Sequence, residues 1–100
     1  MRITWDGELD LASADDLQSE VLAAEREASG GVVLDLRAAT FIDSAGLRAI
    51  LDAHEQLESR GSSLHVVKPA PRVFQVFRIT GVDSVIRCVD RPVAQGEAAA

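Results

Sequence analysis

Residues 32–36 read Val-Val-Leu-Asp-Leu and residues 40–47 read Thr-Phe-Ile-Asp-Ser-Ala-Gly-Leu, which is the pattern of a buried strand followed by a loop that opens a helix. The first stretch is nearly continuous apolar, as in a central parallel strand that is covered on both faces. The second passes from apolar residues to Asp43-Ser44, a pair that favours a helix start. A strand that leads into a helix in this way is half of a right-handed crossover unit.

The same alternation continues in both directions along the chain. Strands are predicted at 3–5, 32–36, 64–67 and 85–89. Helices are predicted to begin at Ser13, which has Asp16 in a capping-box position, at Asp43-Ser44 and at Pro71, and to end at Gly30-Gly31, Arg60-Gly61 and Gly81. Their apolar stripes are Leu17, Val21, Ala24 and Ala28, then Leu47, Ile50, Leu51, His54 and Leu57, then Val73, Phe74, Phe77 and Ile79. A short last helix is expected near Asp90 and Pro92.

The fold class that follows is α/β. We expect one small domain over residues 1–94, with a largely parallel four-stranded sheet and helices packed on it. Residues 95–100 read Gln-Gly-Glu-Ala-Ala-Ala and are expected to form a disordered tail.

Composition argues against several classes of function. The chain of 100 residues has 16 acidic and 10 basic residues, a net charge of -6 and no basic run, which disfavours nucleic acid as a partner. We expect no membrane segment and a cytoplasmic location, because no apolar stretch approaches about 18 residues and no signal-peptide pattern begins the chain. Cys88 is a single cysteine, and His54 and His65 lie outside any ligand-spaced cluster, so no disulfide, metal site or cofactor is predicted.

Functional groups of parallel sheets collect where strands end and helices begin. Three places qualify: Asp10, the loop from Thr40 to Gly46, and Lys68. In the loop, Phe41 and Ile42 are expected to anchor the chain in the core. A glycine in the first helical turn costs about 1 kcal/mol relative to alanine, so Gly46 predicts that something approaches its backbone closely.

Ser44 has two interpretations from position alone. A serine before a helix is a favoured cap. A serine at a helix N-terminus is also a tolerable phosphoacceptor, because free N–H groups and the helix dipole favour an added anion. Nucleophilic catalysis is disfavoured, since the nearest histidine along the helix, His54, is about 15 Å away at 1.5 Å per residue.

Three stretches together resemble the STAS family (sulfate transporter and anti-sigma factor antagonist) and, within it, bacterial anti-sigma factor antagonists. They are Gly7-Glu8-Leu9-Asp10-Leu11, Val32-Val33-Leu34-Asp35-Leu36 and Phe41-Ile42-Asp43-Ser44-Ala45-Gly46-Leu47. The resemblance implies a regulator that is not an enzyme, with Ser44 as the phosphorylated residue. It further implies a surrounding site for the phosphate and the partner, formed by Asp10, Thr40, Asp43, Ala45, Gly46, Leu47 and Arg48.

The resemblance also implies the partners. An unphosphorylated protein of this kind binds an anti-sigma factor, which is itself a serine kinase that holds ATP, and so releases a sigma factor for transcription. Phosphorylation by that kinase ends the complex, and a metal-dependent phosphatase restores the free serine. The added charge, about -1.5 to -2, supplies the physical reason for release.

The sequence departs from the family pattern in two places. The family usually has one more strand before the Gly-Glu-Leu-Asp strand, so we expect an exposed first sheet edge and possible homodimerisation through it. Ala45 replaces a second hydroxyl residue found in several relatives, so no backup acceptor adjoins Ser44 and the switch would depend on Ser44 alone.

Other functions remain open at the level of sequence. One is a STAS subunit that binds an ABC transporter ATPase in phospholipid transport, and another is a stressosome-type scaffold. A third is a receiver-like domain phosphorylated on an aspartate, for which Asp10, Asp43 and Lys68 would supply the acidic pocket and the lysine. That fold, however, places its lysine near the last strand, whereas a helix and a strand follow Lys68 here.

Overall fold

A computed structural model describes residues 1–27 and 31–91, and its centre is a four-stranded sheet. The strands are β1 (Arg2–Thr4), β3 (Val32–Asp35), β5 (Leu64–Val67) and β6 (Arg87–Val89), in the order β1-β3-β5-β6. Each adjacent pair is parallel, and β3 pairs with both β1 and β5. The α/β class and the largely parallel four-stranded sheet are therefore confirmed, with β1 at one edge.

Two further strands form a pair of their own. They are β2 (Gly7–Leu9) and β4 (Ala39–Ile42), and they are parallel, with Leu9 opposite Ile42. Residues 39–42 were expected to be a connection, whereas the Gly-Glu-Leu-Asp segment was expected to be a strand from the family pattern. The expectation that no further strand stands before that segment is wrong, because β1 precedes β2. Strands β2 and β4 each follow directly on a strand of the main sheet after a short interruption, so this pair continues the direction of β1 and β3 toward their carboxyl ends.

The described residues form three α-helices: α1 (Ala14–Glu27), α2 (Ser44–Ser59) and α3 (Pro71–Thr80). The predicted starts at Asp43-Ser44 and Pro71 are confirmed, as is the end at Gly81, which has the left-handed conformation that favours glycine. Helices α1 and α2 pack against each other, and α2 also contacts β2, β4 and β5. Their buried side chains, among them Leu17, Val21, Ile50 and Leu57, meet the apolar residues of β3 and β5 in one core.

Several local predictions are wrong. Helix α1 begins directly after Ser13, as predicted, but the capping box with Asp16 is wrong, because the Ser13 hydroxyl bonds back to Asp10 instead. The last strand begins at Arg87 and not at Val85, because residues 82–84 form a 3-10 turn before it; Val82 in that turn and Ile86 after it are both buried. Ile79 does not belong to the buried stripe of α3, because its side chain is 77% exposed.

Some predictions concern residues outside the described ranges. These are the helix end at Gly30, the place of Ala28 on the buried stripe, the short helix near Pro92 and the tail at 95–100. Within the described residues, none of the helices combines the length and the apolar character needed to span a bilayer.

Candidate functional site

The ends of β2 and β4 form the candidate site. Because Leu9 and Ile42 are paired in parallel register, the residues that follow them, Asp10 and Asp43, emerge at the same edge. The N–H of Asp43 donates to the carbonyl oxygen of Leu9 at 3.2 Å. The two acidic residues that the sequence placed after different strands are thus neighbours across one strand pair.

Asp43 is the residue that caps α2. Its backbone is extended, with φ -105°, and its Oδ1 accepts the N–H of Gly46 at 2.9 Å. Its carbonyl oxygen accepts the N–H of Leu47 at 2.9 Å, which is the first helical hydrogen bond. Ser44 is therefore the first residue inside the helix and is exposed. Asp43 therefore supplies the helix cap, so the Ser44 hydroxyl is not needed for capping and is available for another role.

Gly46 is needed because the chain of β2 runs directly over the start of α2. A Cβ at position 46 would collide with the carbonyl oxygen of Leu9 and would stand 2.8 Å from its carbonyl carbon. The close approach predicted from this glycine is thereby confirmed, and its source is the backbone of Leu9. This contact holds the first turn of α2, and with it Ser44, against the end of β2.

Asp10 shapes the loop beside Ser44. Its Oδ1 accepts the N–H groups of Ala12 and Ser13 at 3.0 and 3.3 Å, and it also contacts the Ser13 hydroxyl at 3.2 Å. The Ser13 hydroxyl oxygen in turn accepts the N–H of Asp10. These bonds close the turn that leads into α1, so the Asp10 carboxylate has a structural task at the rim of the site.

The remaining predicted site residues divide between surface and core. Thr40 and Arg48 are exposed, and Ala45 is half-buried. Gly46 and Leu47 are buried, and Leu47 is only 4% exposed and packs in the core. The side chain of Leu47 therefore supports α2 from beneath and is absent from the surface that a partner would meet.

Two exposed apolar side chains next to the site were not found by sequence reasoning. Phe41 was expected to anchor the loop, yet its ring is 48% exposed, because β4 turns Ala39 and Ile42 inward and Phe41 outward. Leu11, which follows Asp10, is 79% exposed. Strict alternation would have put Phe41 on the same face as Ala39, but the register of β2 and β4 shifts between Gly7 and Glu8, so periodicity alone carried no signal for the exposure of Phe41.

A buried carboxylate fixes the bend between β3 and β4. Asp35 is 3% exposed, and its oxygens accept Nε and Nη2 of Arg37 at 3.0 and 2.7 Å and the backbone N–H of Arg37 at 3.0 Å. The Arg37 side chain bonds lower the pKa of Asp35 against the opposing effect of burial. These Asp35–Arg37 bonds hold the chain where β3 ends and turns toward β4, the strand that leads to Ser44.

Lys68 is engaged away from the two aspartates. Its Nζ lies 3.4 Å from Asp90 Oδ1 and 5.2 Å from the centre of the Phe74 ring, beside an open cavity of about 560 Å³ that Cys88 also lines. Burial raises the pKa of the Cys88 thiol to about 11, helped by the nearby Asp83. The structure thus brings Asp10 and Asp43 together and places Lys68 with β6 and α3.

The histidines are not joined with acidic or sulfur groups into a cluster. His54 is half-buried on α2, as its stripe predicted, with Nδ1 buried and unpaired within the described part of the chain. Within residues 1–27 and 31–91, no three His, Cys, Asp or Glu side chains are grouped so that they could hold a metal ion.

Comparison with known proteins gives consistent results. The STAS domain family matches residues 1–100. A Bordetella bronchiseptica protein named as an anti-sigma factor antagonist, BtrV, is 35% identical over 94 residues, which are 94% of this chain and 77% of that protein.

Solved structures resemble the fold. An anti-sigma factor antagonist from Mycobacterium paratuberculosis has a TM-score of 0.79 and 24% identity, covering 90% of this chain and 76% of that one. The Bacillus cell fate determinant SpoIIAA in its phosphorylated form has a TM-score of 0.64 and 20% identity, covering 98% and 86%.

Proposed function

The chain belongs to the STAS domain family, and from that premise we propose that it is an anti-sigma factor antagonist controlled by phosphorylation of Ser44. The observation that carries the proposal is the exposed Ser44 at the start of α2, next to a cap that Asp43 already supplies. Relatives named as anti-sigma factor antagonists support the general role. In this role the protein acts as a binding partner and a phosphoacceptor, and the kinase supplies the catalysis.

The partner is an anti-sigma factor that acts as a serine kinase and binds the ATP. In the unphosphorylated state the two proteins associate in the cytoplasm and the sigma factor is released. In the kinase reaction, the Ser44 Oγ forms a bond to the γ-phosphorus of ATP as the bond to ADP breaks, and a base of the kinase takes the hydroxyl proton. A metal-dependent phosphatase hydrolyses the ester and restores the active form.

Electrostatics explains why one phosphate is sufficient for release. Asp43 adjoins Ser44 in the chain and Asp10 emerges at the same edge, so the phosphate adds negative charge to an acidic site. A negative charge that a bound partner places about 5 Å from the phosphate would be repelled by about 3 kcal/mol per unit charge at an effective dielectric of about 20. Repulsion of half that size, after screening by water, weakens a complex about tenfold.

The contact surface consists of exposed groups around Ser44. Leu11 and Phe41 supply apolar area on either side, and Arg48 supplies a positive charge one turn along α2. Aromatic and arginine side chains are the residue types that contribute most at protein interfaces. Leu47 is left out of this surface because it is buried.

Phosphosite mapping tests the proposal. The protein is incubated with ATP and extract of its native cells and analysed by mass spectrometry, alongside Ser44→Ala and, as a matched control, Ser59→Ala at the other end of α2. We expect one phosphate in the unchanged protein and in Ser59→Ala, and none in Ser44→Ala. Ser44→Asp should weaken binding to the anti-sigma factor at least tenfold, whereas Ser44→Ala should retain it.

Other outcomes of the experiment identify the alternatives. Equal partner binding by Ser44→Asp and Ser44→Ala would remove the switch. Co-purification with an ABC-type ATPase would favour a transporter subunit, and assembly into large particles would favour a scaffold. A phosphate that hydroxylamine cleaves would indicate an acyl phosphate on an aspartate. The contacts of Lys68 with Asp90 and Phe74, away from the acidic pair, argue against that last function.

We also propose that two copies associate through the edge of β1. Val33 donates to Met1 and Trp5 donates to Asp35, so alternate residues of β1 face β3, and Arg2 and Thr4 direct their backbone groups to the open edge. Thr4→Pro removes an N–H from that edge. Light scattering at high concentration should show dimers for the unchanged protein and monomers for the variant, and a strict monomer for both would exclude this association.

A further inference from the structure

Ser44, Arg48 and Asp52 form a row along the exposed side of α2. They are spaced by four residues, which places their side chains above one another on a helix. Arg48 Nε lies 3.1 Å from Asp52 Oδ1, and the Arg48 side chain is 74% exposed. The other oxygen of Asp52 accepts Nε2 of Gln18 on α1 at 3.4 Å. Arg48 thus stands between a carboxylate on one side and the proposed phosphoacceptor on the other.

Asp52, the present partner of Arg48, would form a weaker ion pair with it than a phosphate on Ser44. In an i,i+4 pair the favoured order has the anion nearer the helix N-terminus, in accord with the helix dipole, and Arg48–Asp52 has the reverse order. A phosphate on Ser44 would stand four residues before Arg48, in the favoured order. It would also bring about -1.5 to -2 charges and three acceptor oxygens, against the single charge of Asp52.

The phosphate has few other counter-charges on α2. Arg48 is the only lysine or arginine among residues 44–59. The N–H of Gly46, which has no helical carbonyl partner in the first turn, already donates to the Asp43 carboxylate. Asp43 and Asp10 at the same edge are anionic groups that would repel the phosphate. On α2, the guanidinium of Arg48 is therefore the cationic group that can donate hydrogen bonds to a phosphate on Ser44.

We propose that Arg48 is the intramolecular receptor for phosphorylated Ser44: its guanidinium leaves Asp52 and donates to the phosphate, while Asp52 keeps its bond to Gln18. This inference rests on the proposed function and extends it to the regulation of the same site. Phosphorylation then changes the contact surface in two ways. It adds negative charge, and it turns the one cation of the proposed contact surface away from the position that an unphosphorylated partner binds.

The test uses the full chain with phosphoserine installed at position 44 during translation, so that no kinase is required. The second pKa of the phosphate is measured by phosphorus NMR titration in the unchanged, Arg48→Gln and Arg48→Lys proteins. A nearby guanidinium favours the dianion, so we expect the pKa with Arg48 to lie about 0.5 to 1 unit below that of Arg48→Gln, with Arg48→Lys in between.

A matched control separates a direct contact from a change of net charge. Arg60→Gln also removes one positive charge, at the far end of α2 about 24 Å from position 44 at 1.5 Å per residue. It should leave the phosphate pKa unchanged. The Arg48 Nε–H resonance should shift on phosphorylation, and in Asp52→Asn it should start nearer to its phosphorylated position. Thermal unfolding of each unphosphorylated variant confirms that the fold is retained.

Equal phosphate pKa values in the unchanged and Arg48→Gln proteins would overturn the inference, as would an Arg48 Nε–H resonance that phosphorylation does not move. Either result would leave the proposed function intact, because release by added charge alone does not need Arg48. A failure of native extract to phosphorylate Ser44 would instead remove the proposed function. The phosphate titration would then report only whether Arg48 can bind an artificially installed phosphate.

Discussion

Gly46 lies directly beneath the carbonyl group of Leu9, so the start of α2 is seated against the end of β2 without a side chain between them. The same carbonyl oxygen accepts the N–H of Asp43 at 3.2 Å. Leu9 thereby contacts both the cap and the third residue of α2, and Ser44 lies between these two points. The position of the proposed phosphoacceptor depends on this backbone contact.

The first prediction concerns Gly46. Glycine to alanine in a helix normally stabilises by about 0.5–1 kcal/mol. Gly46→Ala should have the opposite sign and destabilise by about 1–3 kcal/mol, because the added methyl group collides with Leu9 and forces the backbone apart. Urea unfolding measures the change. Stabilisation by Gly46→Ala would contradict the packing described for this turn.

The second prediction separates the two properties of Asp43. Asp43→Ala removes the acceptor for Gly46 N–H and should lower the free energy of unfolding by about 0.5–2 kcal/mol. Asp43→Asn keeps a good cap and should cost far less stability. If the charge of Asp43 contributes to release, the Asp43→Asn variant should show a weaker effect of phosphorylation on partner affinity while the fold stays intact. Calorimetric titration of both phosphorylation states gives the comparison.

The third prediction contrasts Phe41 with Leu47. Leu47→Ala should destabilise by about 2–5 kcal/mol, since it opens a cavity in the core. Phe41→Ser should change stability less, because nearly half of the ring is exposed, and should weaken binding to the anti-sigma factor. Unfolding curves give the loss of stability for each of the two variants, and partner titrations give the loss of affinity. A Phe41→Ser protein that binds as tightly as the unchanged one would remove Phe41 from the interface.

The fourth prediction is a pH dependence from Asp35. Arg37 lowers the pKa of this carboxyl in the folded protein, so the folded state prefers the charged form more than the unfolded chain does. The resulting stability is present above about pH 4, near the ordinary pKa of aspartate, and is lost as pH falls through the lower folded-state pKa.

Asp35→Asn tests this dependence. The variant should be less stable than the unchanged protein at pH 7, and the difference should shrink as the pH falls well below the ordinary pKa of aspartate, about 4. A difference at Asp35 that is constant over this pH range would show that the charge of Asp35 is not responsible.

The fifth prediction concerns Cys88. With a pKa of about 11 the thiol is almost fully protonated at pH 8. Alkylation requires the thiolate, so iodoacetamide should react about 100-fold more slowly than with a thiol of ordinary pKa, about 9. The rate should rise on unfolding in urea, which exposes the sulfur. Rapid alkylation of the folded protein at pH 8 would contradict the burial of Cys88.

The sequence by itself determined the order of the main elements and the general location of the site. The apolar run of β3, the Asp-Ser pair and Gly46 are local signals, because strand burial, helix capping and the cost of a helical glycine act over a few residues. They were sufficient to predict a parallel α/β domain and a functional loop at the start of α2. They also indicated that something approaches Gly46, without identifying it.

Only the tertiary structure decided which groups meet at that loop. The pairing of β2 with β4, the neighbouring positions of Asp10 and Asp43 and the contact of Leu9 with Gly46 all join residues that are far apart in the chain. Such short strands carry too little periodicity to reveal their pairing, and the exposure of Phe41 depended on it. Long-range packing selects among locally acceptable conformations, so the identity of the neighbours around Ser44 emerged only when the chain was folded.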